Sequence, residues 1–303
     1  MRTVQRLIHI IFLALIVVLS SCGDDDKNNP TDTTTSGNIT IAVDETFRPI
    51  VHQQTNVFDS SFPEAHIRAL YKPENECIKD FLNDSARLIL VTRELSADEK
   101  TFMEQKKVIT TSMAVAKDAV AIVVNNASPD SMLSMSQLKG ILTGAYANKY
   151  TVVFDNQGSS TVRYILDSLI PGQKLGANVY AAKGNDSVIE YVAKNPNAIG
   201  FVGVSYVSDF SDPAGLAFIS SVKVAQVFNE KLQKFFGPYQ AYIAPNYYPL
   251  TRNLYYIHRE TYPGLGTGFA NFLARERGQL IFKQARLFPL RTNIIFRDAT
   301  VNP

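Results

Sequence analysis

The chain has 303 residues, 46% of them hydrophobic, which is enough for two packed bodies of ordinary size and too apolar for a disordered chain. Lys+Arg 30 against Asp+Glu 28 gives a formal charge of +2, without the basic excess of a nucleic-acid binder. Two cysteines and four scattered histidines (His9, His52, His66 and His258) show no ligand spacing, so neither a metal site nor a cofactor is expected.

Met1 to Arg6 carries Arg2 and Arg6, LIHIIFLALIVVL is an apolar run, and LSSC puts small residues before Cys22. That layout reads as a signal peptide over residues 1–21. LSSC resembles the bacterial lipobox, which implies that Cys22 is lipidated and becomes the mature N-terminus. A retained signal anchor is the alternative, because the apolar run is close to spanning length. The polar GDDDKNNPTDTTTSGN that follows suits an anchored lipoprotein, and residues 22–37 are expected to form a flexible tether. Aspartates after a lipidated cysteine also resemble surface-export signals of Gram-negative lipoproteins, although a solvated spacer needs the same composition. The expected location is the cell envelope, on the periplasmic face or the outer-membrane surface.

Removal of Arg2 and Arg6 with the signal lowers Lys+Arg from 30 to 28, equal to Asp+Glu at 28. Any anion must then be held by local groups rather than by a global field. With Cys22 acylated only Cys77 remains, so no intrachain disulfide can form, and Cys77 in NECIKDFL reads as a small packing residue.

From Ile39 onward strand and helix patterns alternate. ITIAV is a strand, ECIKDFLND a helix, and ARLILVT a buried strand. SADEKTFMEQ is a helix with Ser96 and Glu99 at capping-box spacing. DAVAIVVNN is a strand bounded by Lys117–Asp118 and by Asn125–Asn126, and SMSQLKGILTG a helix that Gly144 can end. Strand YTVVF, helix STVRYILDSLI, strand ANVYAA, helix DSVIEYVAKN and strand AIGFVGV follow, then strand-like LTRNLYYIHRE. GFANFLARERGQLIFKQA reads as one long amphipathic helix with Phe269, Phe272, Leu273, Leu280 and Ile281 on its apolar side. The alternation implies an α/β protein with largely parallel sheets.

Within it, VVFDNQGSSTVRYILDSLIPG (152–172) puts a glycine and three hydroxyls where a helix begins. A helix start leaves N–H groups unpaired and carries partial positive charge. Gly158 admits close backbone approach, and Ser159, Ser160 and Thr161 add donors, a pattern suited to a small oxyanion. Ordinary capping of the helix by one of the three hydroxyls is the plain alternative.

The ordered blocks DETFRPI, ARLILVTREL, DAVAIVVNN with SMSQLKGILTG, NQGSSTVRY, NPNAIGFVGVSYV, YPLTRNLYYI and GQLIFKQARLFPLR resemble the phosphate-binding receptors of ABC transporters, the PstS-like branch of periplasmic binding proteins, from about Ile39 to Arg291. The resemblance implies a two-lobed fold with mostly parallel sheets flanked by helices and a ligand cleft at the hinge. Lobe 1 is expected over 38–117 and 243–303, and lobe 2 over 118–242. It implies a monomer that captures phosphate or a similar oxyanion and passes it to an ABC permease. It also carries ligand roles onto Thr46 and Phe47 (the family's Thr–Phe pair), onto Thr92 and Arg93 after the third β-segment, and onto Gly158, Ser159, Ser160 and Thr161 (its Gly-Ser-Gly-Thr loop). Two departures stand out. Asp155 and Val162 occupy places where the family often has an arginine, which leaves Arg93 as the expected charged partner, with Arg163 one position late. Thr92 stands where some members use an aspartate to accept the proton of hydrogen phosphate and so reject sulfate. Glu74 and Asn75 also occupy the region where a further Ser or Thr donor is usual.

No enzyme is expected: the hydroxyl loop has no G-x-S-x-G elbow, and GLGTGF (264–269) lacks the P-loop lysine and reads as a turn before the last helix. The Tyr-rich YQAYIAPNYYPL reads as hinge and lobe packing, with a binding surface as the alternative. The rival function is a surface lipoprotein that uses the same fold for adhesion or another ligand.

Overall fold

The computed structural model describes residues 31–207 and 220–292. The signal peptide, Cys22 and the tether as far as residue 30 lie outside the described residues.

Thirteen strands are described: β1 Gly37–Asp44, β2 Ala65–Lys72, β3 Leu88–Val91, β4 Thr111–Asn125, β5 Met132–Leu133, β6 Thr151–Phe154, β7 Val179–Ala181, β8 Ala198–Gly203, β9 Val222–Val224, β10 Gln226–Asn229, β11 Lys234–Phe236, β12 Thr251–His258 and β13 Phe288–Pro289. The main sheet runs β2-β1-β3-β12-β4-β8-β6-β7, with β13 and β9 also on β4, and β11-β10-β5 form a small second sheet. Each half has a parallel core, β2-β1-β3 and β7-β6-β8, as strands joined through helices should. Within the main sheet the expected parallel pairing stops there; β5 and β10 of the small sheet are also parallel. β4 and β12 run antiparallel to their neighbours, because they are crossing strands and not parts of strand–helix–strand units.

The 15-residue β4 is the spine. Thr111–Ala119 pair with β12, then Val120–Val124 pair with β8. The strand therefore starts seven residues before the apolar run that marked it in the sequence. Its first residues are half-exposed, and alternation there is too weak to read. Tyr248 is fully buried beside the partner change, its hydroxyl donating to the Val120 carbonyl at 2.8 Å. Tyr239, Tyr242 and Tyr247 from the same Tyr-rich stretch are exposed, so of its four tyrosines one packs inside, with Ile243 and Leu250, and three lie at the surface.

Local signals decide several helix ends. Ser96 and Glu99 form the expected capping box, Ser134 and Gln137 form another, and Gly144 ends its helix at φ 90°, a left-handed conformation that glycine adopts without cost. Cys77 is buried with Ile78, Phe81, Ile89 and Met103 in a core on one face of the first half's sheet; a larger core runs through both halves. The expected long final helix is two: Leu265–Ala274 and Glu276–Gln284, broken where Arg275 is extended at ψ 175°. The second helix folds back so tightly that a Cβ on Gly278 would lie 2.3 Å from the Phe272 carbonyl, and Leu280 ends up exposed. GLGTGF is not a turn; Gly264 is the N-cap and the rest is the first turns of the helix.

The end of the expected tether is also packed. Asp32 is buried, and its carboxylate accepts from Arg87, from the Tyr262 hydroxyl at 2.6 Å and from Leu265 N–H at 2.7 Å. Arg87 also pairs with Glu260, which accepts from Gly266 N–H, Thr267 N–H and the Thr267 hydroxyl. The composition of 31–37 reads as solvated because its one charged residue, Asp32, is bound to an arginine 55 residues away. Among the described residues no helix is long and apolar enough to cross a membrane.

Candidate functional site

Seven of the eight residues expected at the site converge where the two halves meet. β1 ends in Asp44, whose Oδ1 accepts from Thr46 N–H at 3.1 Å and from the Thr46 hydroxyl at 2.9 Å, holding the short helical turn Glu45–Phe47 against the strand end. Thr46 and Phe47 are both buried. β3 leads to Thr92, and β6 leads to Asp155 and then the Gly158–Thr161 loop. The Thr46 and Ser160 hydroxyls meet across the division at 3.5 Å.

The three hydroxyls divide their tasks. Ser159 is the N-cap, its Oγ accepting from Val162 N–H, so the plain alternative holds for that residue. Ser160 Oγ accepts from Arg252 Nη1 at 2.9 Å. Thr161 Oγ1 is buried with no hydrogen-bond partner. The α-helix it opens, Ser160–Tyr164, passes into a π segment over Ile165–Leu169. Gly158 is needed for close approach: a Cβ there would fall 2.4 Å from the Asn75 side chain, and its carbonyl accepts from Asn75 N–H. Gly203, at the end of β8, meets Thr46 in the same way.

Arg93 is not in this cluster. Its guanidinium makes a two-pronged pair with Glu99, at 2.7 and 2.8 Å, because the capping-box carboxylate six residues on lies within reach. The arginine at the centre is Arg252 on β12, with a side chain 3% exposed. It sits directly opposite Asp118 in the β4–β12 register and donates Nε to Asp118 Oδ2 at 2.8 Å. Its guanidinium lies over the Phe47 ring, 5.5 Å from the centroid. Nη2 has no hydrogen-bond partner. Arg163 is engaged as well, pairing with Glu74 and donating Nη2 to the Thr92 hydroxyl at 2.7 Å.

Sequence reasoning missed Arg252, Asp118 and Asp44. A charged pair facing across two strands that are otherwise apolar, Asp118 before AVAIVVN and Arg252 before NLYYI, was the available signal, since neither charge belongs in a buried strand without a partner.

The cluster is rich in carboxylates. Burial, then the charge of Glu74, pushes Asp44 up to about 7. Burial also raises Asp118 and Asp155. Burial acts on Glu74 in the same sense, but Arg163 and the Thr92 donors outweigh it and hold Glu74 below the usual carboxylate range. Asp44 Oδ2, Asp118 Oδ1 and Asp155 Oδ1 are buried acceptors without a partner. The arrangement thus offers donors on guanidinium and hydroxyl groups beside acceptors that suit a protonated oxygen.

A stability prediction follows from Asp44. Between its ordinary value of 3.8 and about 7, the folded chain keeps a proton that the unfolded chain has lost. Stability then falls as pH rises through that window and levels off above it, by up to about 4 kcal/mol. Asp118 and Asp155 act in the same direction. Thermal melts of Asp44→Asn should show the gain at pH 8, about 2–4 kcal/mol, and little change at pH 4; equal shifts at both pH values would contradict the assignment.

A family model for a PBP superfamily domain matches residues 28–277. The chain belongs to the PBP superfamily. Among curated relatives, the phosphate-binding protein PstS of Pseudomonas aeruginosa is 23% identical over 285 residues, 86% of this chain and 85% of its own length. PstS of Bacillus subtilis is 22% identical over 229 residues, 69% of this chain and 73% of its own. Among solved structures, a protein from Clostridium perfringens described as a phosphate ABC transporter substrate-binding protein, with bound phosphate, superposes with TM-score 0.71 at 21% identity, covering 84% of this chain and 100% of its own. An ABC-type phosphate transport receptor from Vibrio cholerae gives TM-score 0.63 at 21% identity, covering 82% and 99%. At such identity these structures establish the PBP superfamily fold, and the site stands on its own geometry.

Proposed function

We propose that this chain is an extracytoplasmic solute-binding protein, anchored by lipid at Cys22, that captures phosphate or a similar small oxyanion between two lobes and delivers it as a monomer to an ABC permease. The observation that carries the reading is a buried guanidinium, Arg252, with a free Nη2 in a cluster that joins both halves, next to the unpartnered Thr161 hydroxyl. The named relatives, described as phosphate-binding proteins, favour it over adhesion. Thr46, Phe47, Thr92 and Gly158–Thr161 remain the proposed ligand residues, with Arg252 in the place expected of Arg93. Micromolar affinity requires about 8 kcal/mol, and hydrogen bonds to a charged group contribute roughly 1.5–3 kcal/mol each, so donors from both sides have to converge on one ion. The lobe division proposed at 117/118 and 242/243 lies near the partner change in β4 at Ala119/Val120 and before the start of β12 at Thr251.

The test is calorimetric titration of a soluble chain starting at Gly23, so that Asp32 stays on Arg87, with phosphate, arsenate, sulfate and molybdate. Micromolar or tighter binding of phosphate and arsenate is expected, and silence with all four would reject the reading. Ser159→Ala with Thr161→Ala should abolish that binding while costing only a helix cap, about 1 kcal/mol of stability; unchanged affinity would remove the loop from the site.

A further inference from the structure

Glu74 opens the helix Glu74–Leu82 directly after Pro73, and its carboxylate is 3% exposed. Its Oε1 accepts from Thr92 N–H at 2.7 Å and from the Thr92 hydroxyl at 2.8 Å. Its Oε2 accepts from Arg163 Nε at 2.5 Å. One backbone N–H, one hydroxyl and one guanidinium, drawn from both sides of the division, is the donor set that a small oxyanion recruits. Here the chain supplies the anion itself, at a position where the resemblance places a neutral donor.

Resting on the reading of the site given above, we propose that Glu74 is a tethered competitor: an internal carboxylate that occupies the Thr92 and Arg163 half of the anion site until an external oxyanion displaces it. Two consequences follow. External anions meet a site whose donors are half taken and whose charge is more negative by one, so affinity is set low. Selectivity falls to the free half, Arg252, Ser160 and Thr161, with the unpartnered carboxylate oxygens of Asp44 and Asp155, once ionised, accepting from a protonated ligand and repelling a fully ionised one.

A purely structural role predicts the opposite sign. If Glu74 only latches the halves together through Arg163, removing its charge weakens closure and weakens binding. Inorganic phosphate titrated calorimetrically into the full soluble chain, into Glu74→Gln and into Glu74→Ser separates the two, with melting temperatures recorded in phosphate-free buffer and Arg252→Gln as the non-binding control. Both Glu74 variants should bind phosphate at least tenfold more tightly than the parent, Ser more than Gln because Ser withdraws from the donors altogether, while their phosphate-free melting temperatures fall. Should Gln alone fail to fold, Ser decides. Unchanged or weaker binding by both variants overturns the competitor assignment and leaves the receptor reading intact. Silence of the parent and both variants overturns the inference together with the reading beneath it.

Discussion

Arg252→Gln is expected to lower phosphate affinity at least a hundredfold and to destabilise the fold by about 3–5 kcal/mol, because Asp118 would be left as a buried charge without its partner. Both effects come from one side chain that joins β12, β4 and the hydroxyl loop through Asp118 and Ser160. Calorimetry reads the first, and urea unfolding with linear extrapolation reads the second. The two can be separated. Arg252→Met combined with Asp118→Leu removes both charges and fills similar volume, so it should recover most of the stability while binding stays lost. Restored binding in that pair would show that the guanidinium is structural only.

Arg87→Met is expected to cost about 3 kcal/mol or more at neutral pH, because two carboxylates lose their common cation while nearly inaccessible, Asp32 at 1% and Glu260 at 2%. Both also receive the N–H groups that begin the helix Leu265–Ala274, so the loss spreads to that helix and to the segment before β1. Burial works against ionisation of Asp32, but Arg87, Tyr262 and the Leu265 N–H hold its pKa at about 2. A depressed carboxylate stabilises above its ordinary value and loses that contribution as pH falls toward its folded one. In Arg87→Met Asp32 would protonate more readily, so the mutational penalty should shrink between pH 7 and pH 4. Denaturation curves at the two pH values check this; a constant penalty would place the effect in packing rather than charge.

Much of this molecule is written in short-range signals, and those are the parts that could be read. Ser96 with Glu99, Gly144 at its helix end and the apolar runs ending at Val91, Phe154 and Gly203 each depend on residues within one turn or one strand. The hydroxyl loop was legible as a helix start for the same reason, although which hydroxyl caps and which faces the partner half depends on Thr46 and Arg252. Arg252 lies 92 residues from Ser160 and 134 from Asp118, and no local pattern carries a pairing of that span. Arg93 misled because the family pattern pointed to it while its true partner, Glu99, had already been read as half of a capping box. The final helix was read as one because its apolar spacing runs almost without a break across Arg275, where the backbone turns to bring Gly278 against Phe272.

The place of β12 between β3 and β4 governs the order in which the chain can assemble. As the polypeptide emerges from its N-terminus, the half made from β4's far end, β6, β7, β8 and β9 has every strand it needs by residue 224. The other half does not: β3 and the start of β4 present open edges until residues 251–258 arrive to fill the gap. Closing a loop of that length before the pairing is rewarded is slow, and unpaired edges are the surfaces through which incomplete chains associate. A nascent chain stopped at residue 250 should therefore carry one compact half and one adhesive half, and the second half should close only once a single strand is inserted between two that have waited for it, with the last two helices and β13 following.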